Sequence, residues 1–187
     1  MIRAGEIAKG TFLLIKNDPC EVVEREFVNP GKGSAFVRLK MKNLKTGQVL
    51  TQTTKTQDSV EDIEVDNRYC QYLYADEQNY HFMDTKDFEQ IEVHRLGLEN
   101  KASYLKEGEV FQLIIWENQP LDILIPFKMV FEVTEAHHAI KGDTVSGSTK
   151  PVTIETGLTV KVPLFIKQGD KIRINTETQE YVERVNE

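Results

Sequence analysis

Catalytic motifs are what this 187-residue sequence lacks. It holds no Cys-x-x-Cys, no His-Glu-x-x-His and no Gly-x-Ser-x-Gly, so thiolate metal sites, zinc peptidase chemistry and the serine-hydrolase elbow have no residues to build on. Cysteine is scarce: Cys20 and Cys70 stand alone, without metal-ligand spacing. That pair cannot make a disulfide framework and suits a reducing compartment. Of the four histidines, His81, His94, His137 and His138, none has a second ligand at metal spacing, and the adjacent pair would point to opposite faces of a strand. No apolar run approaches the roughly 20 residues a membrane-spanning helix needs. The opening segment, Met1 to Glu6, has none of the apolar character of a secretory signal. A cytoplasmic, membrane-free protein with no catalytic residue, metal or cofactor is expected: a binding factor without chemistry of its own.

Acid is also missing, but only locally. The chain carries a formal charge of -7, yet Val28 to Gln57 contains no Asp or Glu and six bases, Lys32, Arg38, Lys40, Lys42, Lys45 and Lys55. Residues 1–57 are net +5 (10 bases, 5 acids), residues 58–137 net -12 (6 and 18), and residues 138–187 neutral (7 and 7). Arg38, Lys40 and Lys42 fall two apart, so on a strand they share one face at about 7 Å spacing, close to that of successive phosphates on an extended nucleic acid. Such a stripe either meets a polyanion or blocks edge-to-edge strand pairing.

At the head of that window stands Asn29-Pro30-Gly31-Lys32-Gly33-Ser34, between two strand-like runs. The pattern predicts a hairpin with Lys32 at its tip. Gly31 and Gly33 clear the space beside the lysine, and Pro30 limits movement of the loop base. A solvated lysine on a glycine-rich turn would read the same way. The run is not a phosphate-binding P-loop, because Lys32 is followed by Gly33 and no glycine stands five residues before it.

Short apolar or alternating runs fill the rest: Thr11 to Ile15, Val22 to Val28, Ala35 to Met41, Val49 to Lys55, Tyr69 to Ala75, Tyr80 to Met83, Val110 to Trp116, Leu121 to Ile125, Met129 to Thr134, Val152 to Glu155, Leu158 to Val162, Lys171 to Asn175 and Tyr181 to Val185. A mostly-β chain of small barrels is expected. One helix is expected, Asn100 to Lys106, closed by Gly108. Trp116, in an apolar strand, reads as core. The acidic, poorly patterned Asp58 to Asn67 and the interruption Pro126-Phe127-Lys128 place breaks near 64 and 128, giving units 1–64, 65–128 and 129–187. Units of about 60 residues bury little core and would lean on one another. No residue-level repeat relates the second and third.

Two motifs carry a family resemblance. Pro30-Gly31-Lys32-Gly33-Ser34-Ala35-Phe36 resembles the modified-lysine loop of bacterial elongation factor P. Far along the chain, Lys150, Val152, Gly157, Val160, Val162-Pro163, Ile166 and Gly169 are similar to that family's carboxy-terminal signature at every spacing. The resemblance implies an amino-terminal SH3-like (KOW-type) barrel followed by two OB-type barrels, shaped together like a transfer RNA.

It also implies a monomeric, non-enzymatic translation factor that binds the bacterial ribosome and relieves stalling at consecutive prolines. Lys32 would reach the CCA end of peptidyl-transfer RNA. A lysine-modifying enzyme would extend it with a β-lysyl or other adduct; the arginine-glycosylating branch of the family is excluded by the lysine itself. Arg38, Lys40 and Lys42 would contact RNA phosphates without reading sequence. A second loop, with Gly142, Asp143 and Thr144, would approach exit-site messenger RNA, although His138-Ala139 stands where relatives have Pro-Gly. Two other readings remain: a paralogue without the modified lysine, which Lys32 argues against, and an OB-type binder of free single strands, which would want more aromatics among the bases than Phe36.

Overall fold

The computed structural model describes residues 1–96, 98–136 and 149–186. The chain forms β1 (Ile2–Arg3), β2 (Phe12–Ile15), β3 (Asp18–Val28), β4 (Phe36–Asn43), β5 (Val49–Lys55) and β6 (Ser59–Val60). These are followed by β7 (Asp66–Ala75), β8 (Asn79–Asp84), β9 (Gln90–His94), β10 (Val110–Trp116) and β11 (Gln119–Leu124). The last group is β12 (Lys128–Ala136), β13 (Thr149–Ile154), β14 (Thr159–Pro163), β15 (Lys171–Asn175) and β16 (Glu180–Val185). All thirteen expected runs recur as strands. The pattern missed β9, whose Gln-Ile-Glu-Val-His offers only two apolar residues, and the two-residue pair β1 and β6.

In the first unit β2, β3, β4 and β5 form a meander, and β1 pairs with β6 beside it. A bridge between Leu13 and Asp62 helps close it. Alternation drives the packing: Val37, Leu39 and Met41 of β4 are buried with Leu13, Cys20 and Val22, while the intervening residues face outward. Two-residue turns join β2 to β3 and β10 to β11, with Lys16-Asn17 and Glu117-Asn118 all at positive φ. That mirror-image turn matches the right-handed twist of the strands it joins.

The other two sheets run β11-β10-β7-β8-β9 and β14-β13-β12-β15-β16. Numbered from its own first strand, each is the same arrangement: a three-stranded meander whose first strand pairs with the fourth, which pairs with the fifth. In each the third strand returns beside the fifth, β9 by β11 and β14 by β16. This is the five-strand, partly open OB barrel made twice. The repeat lies in pairing, not in residues, which is why the sequence hides it.

The expected helix is a short 3-10 segment, Glu99–Tyr104, rather than an α-helix reaching Lys106. Six residues without a side-chain cap cannot repay α-helix nucleation, so the tighter turn prevails. Gly108 lies past its end and instead shapes the approach to β10, at φ +83° with its N–H donated to the Tyr72 carbonyl.

Apolar residues of the two OB barrels merge into one cluster, from Phe82 and Phe111 through Leu105 and Met129 to Phe131 and Ile174. The first barrel keeps a separate core. Trp116 is only half-buried at the end of β10, correcting its assignment to the core.

Candidate functional site

The pairing of β3 with β4 ends at Val28 opposite Phe36, and residues 29–35 form the connecting loop. Lys32 is exposed, as are its neighbours from Asn29 to Ser34. Gly31 lies at φ +73° and Gly33 at φ +104°, and a Cβ at either would meet nothing within 4 Å. In the free chain these glycines therefore serve backbone conformation rather than close packing. Among the described residues, none forms a hydrogen bond or ion pair with the Lys32 side chain. The tip is a lone cation on a bent, unpacked loop joining the two central strands of the four-stranded sheet.

The basic stripe is a different matter. Arg38, Lys40 and Lys42 do share the outer face of β4, but the register sets an acid of β3 opposite each: Glu26 faces Arg38, Glu24 faces Lys40 and Glu21 faces Lys42. An extra residue, Val23, bulges between the Val22 and Glu24 pairs. Without it Glu21 and the pair Glu24, Glu26 would alternate to opposite faces; the bulge brings all three into line. Arg38 contacts Glu26 at 2.7 Å and Lys40 contacts Glu24 at 3.4 Å. Lys45 meets Asp18 at 3.4 Å. The acid-free window is therefore acid-free in sequence only.

Lys42 points elsewhere. Its ammonium lies 3.4 Å from Asp122 of the second barrel, a carboxylate only 3% exposed. Of the three bases grouped by spacing, two remain on the open face. Lys45 also sits 6.0 Å from the centre of the Trp116 ring.

Gly142, Asp143 and Thr144, with His137, His138 and Ala139, lie outside the described residues. The two cysteines are buried and unpaired. Burial pushes the Cys70 thiol up to about 11 and raises that of Cys20, so neither is a ready nucleophile. His81 gains partners its sequence neighbours did not reveal: Asp76 at 2.6 Å, Glu92 at 3.8 Å, and a stacked Tyr74 ring with centroids 4.4 Å apart. Even so, no group of three or more His, Cys, Asp or Glu among the described residues could hold a metal ion. No helix among them is long and apolar enough to cross a membrane.

Three family models tile the chain. Residues 3–60 match an elongation factor P (EF-P) KOW-like domain, residues 65–123 an EF-P OB domain, and residues 129–184 an elongation factor P carboxy-terminal domain. Elongation factor P of Treponema denticola is 60% identical over 186 residues, covering 100% of both chains. The chain belongs to the elongation factor P family. The family member from Borrelia hermsii is 49% identical over 189 residues, covering 100% of this chain and 98% of its own. Among solved structures, eukaryotic translation initiation factor 5A from Methanococcus jannaschii superposes with a TM-score of 0.54 at 25% identity, over 66% of this chain and 91% of that one. As an elongation factor P the chain is a translation elongation factor, of a factor family rather than an enzyme family, with a KOW-like first domain and OB-type barrels after it.

Proposed function

We propose that this family member binds the bacterial ribosome and speeds peptide-bond formation where consecutive prolines stall it, by steadying the CCA end of peptidyl-transfer RNA with Lys32. The observation that carries this is the unpaired, exposed Lys32 on a loop that nothing else in the described structure occupies. Proline reacts slowly because its ring fixes φ and its nitrogen is a secondary amine. A cation that fixes the donor end lowers the entropic part of that barrier without itself reacting. An adduct on Lys32, β-lysyl or another, added by a lysine-modifying enzyme, lengthens its reach. No cofactor is needed.

Arg38 and Lys40 contact RNA phosphates on the same approach, exchanging Glu26 and Glu24 for phosphate, while Lys42 stays with Asp122. The loop with Gly142, Asp143 and Thr144 meets exit-site messenger RNA. The factor acts in the cytoplasm as a monomer. A binder of free single strands is the weaker reading, because most of the basic face is already matched by carboxylates.

The test is the rate of proline–proline bond formation on purified ribosomes, with protein isolated from its own host and with its Lys32→Ala variant. Acceleration that vanishes in the variant is expected. No acceleration by the unaltered protein would overturn the reading.

A further inference from the structure

The second and third barrels are joined by a continuous apolar cluster. Direct bonds across them reinforce it: Thr156 donates its hydroxyl to the Ser103 carbonyl at 2.7 Å, and Lys106 meets Glu155 at 3.0 Å. The first barrel has a separate core, and an open groove of about 510 Å³ runs between its Lys42, Thr46 and Gln48 and the second barrel's Glu99 and Asn100. Charge bridges that junction, beside the Lys45 ammonium over the Trp116 ring. One oxygen of Asp122 takes Lys42 of the first barrel at 3.4 Å; the other takes Lys101 of the 3-10 segment, whose ammonium also reaches the Ile123 carbonyl. The Ile123 N–H donates to the same Asp122 oxygen at 2.7 Å. Glu21 completes the group. Burial, then Asp122, raises its carboxyl, while burial lowers the Lys101 ammonium against the pull of Asp122.

A continuous, interdigitated apolar cluster fixes the geometry of the second and third barrels, whereas the first barrel shares no such cluster with them. A buried carboxylate narrows the choice: Lys101 holds Asp122 within the second barrel, and the Lys42 contact from the first barrel is kept only over a small range of tilt, beyond which a half-buried lysine loses its carboxylate. The strand that carries Lys42 also begins at the Lys32 loop. Lys42 and Phe36 are separated by about 20 Å along β4, so tilting the first barrel 10° about Asp122 moves the loop base by about 3 to 4 Å.

We propose that Asp122 is a positioning residue: held between Lys42 and Lys101, it locks the loop-bearing barrel at one angle to the fused second and third barrels, and so sets where Lys32 is carried. The angle is a property of the chain alone; its consequence for Lys32 rests on the function proposed above.

Spin labels at Thr53→Cys in the first barrel and Lys161→Cys in the third, both exposed positions, would report the angle as a distance distribution, since Cys20 and Cys70 are buried. The full chain should give one narrow peak. Asp122→Asn should broaden it or split it. So should a repacked neutral variant, Lys42→Met with Lys101→Met, Asp122→Leu and Glu21→Gln, which removes every charge of the group together. A reference pair within the fused body, Thr85→Cys and Lys161→Cys, should stay narrow in every variant. An unchanged first distribution in either variant, or equal broadening of the reference pair, overturns the proposal. On ribosomes, the neutral variant should lose at least half of the proline–proline stimulation at an unchanged melting temperature. Full stimulation with a broadened angle would remove the link to Lys32 and leave the lock standing.

Discussion

Gly33→Ala isolates the conformation of the Lys32 loop from every other property of the protein. Gly33 sits at φ +104°, and the new methyl would meet nothing within 4 Å, so the substitution adds no clash and removes no contact. Its whole cost is the backbone, about 1 to 2 kcal/mol for an L-residue forced into a left-handed conformation. A loop with no core contacts will relax rather than unfold the barrel. The native loop form then falls roughly 5- to 30-fold in population. Stimulation of proline–proline synthesis at subsaturating factor should fall by a similar ratio, with the melting temperature nearly unchanged. Gly10→Ala is the control: it carries the same kind of strain, φ +85° in open space, but its N–H is tied to the Val22 carbonyl at 2.8 Å within the barrel. It should lower stability and leave stimulation at saturating factor intact. D-alanine at position 33, which favours positive φ, should restore activity. Full stimulation by Gly33→Ala with an intact fold would refute the argument that this backbone presents Lys32.

Replacing Arg38 and Lys40 by Gln removes two phosphate contacts, so binding to ribosomes should weaken and its logarithmic salt slope become shallower by up to about 1.4, two phosphates' worth. An unchanged slope would mean the two bases meet no RNA; stability should barely move, because exposed pairs contribute at most about 1 kcal/mol. Reversing Lys42 is a poor probe of RNA contact, since it would also break the bond to Asp122. Asp76 has its carboxyl held down to about 2, from 3.8, chiefly by its hydrogen bond from His81 and then by the Asn79 and Gln78 N–H groups. A depressed carboxylate stabilises the fold above its unfolded pKa and loses that contribution as pH falls toward the folded value. Acid unfolding of Asp76→Asn followed by circular dichroism should therefore show a shallower loss of stability between about pH 4 and about pH 2 than the parent; parallel curves would exclude the linkage.

Much of the fold was legible because strand alternation is local. Val37, Leu39 and Met41 announce one buried face of β4, and Gly31 and Gly33 announce a turn that only residues tolerant of positive φ can make. The site was legible in the same measure: Lys32 is flanked by its own punctuation. What escaped was whatever depends on a second strand. The acids matching Arg38 and Lys40 stand outside the window that looked purely basic, and they line up only through the bulge at Val23. β9 escaped because its five residues show too little apolar contrast, and Trp116 looked like core because sequence does not reveal that it lies one residue past the pairing of β10 with β7.

By itself the sequence determined thirteen of the sixteen strands, the exposed lysine loop and the family, since these rest on periodicities and motifs a few residues long. Only the tertiary structure decided that the two OB barrels fuse through one apolar cluster while the first barrel is held by Asp122. It also decided that most of the basic stripe is balanced by carboxylates. Both are matters of register and approach between segments far apart in the chain, and electrostatic energy depends on the distance in space between charges, which spacing along the chain does not supply.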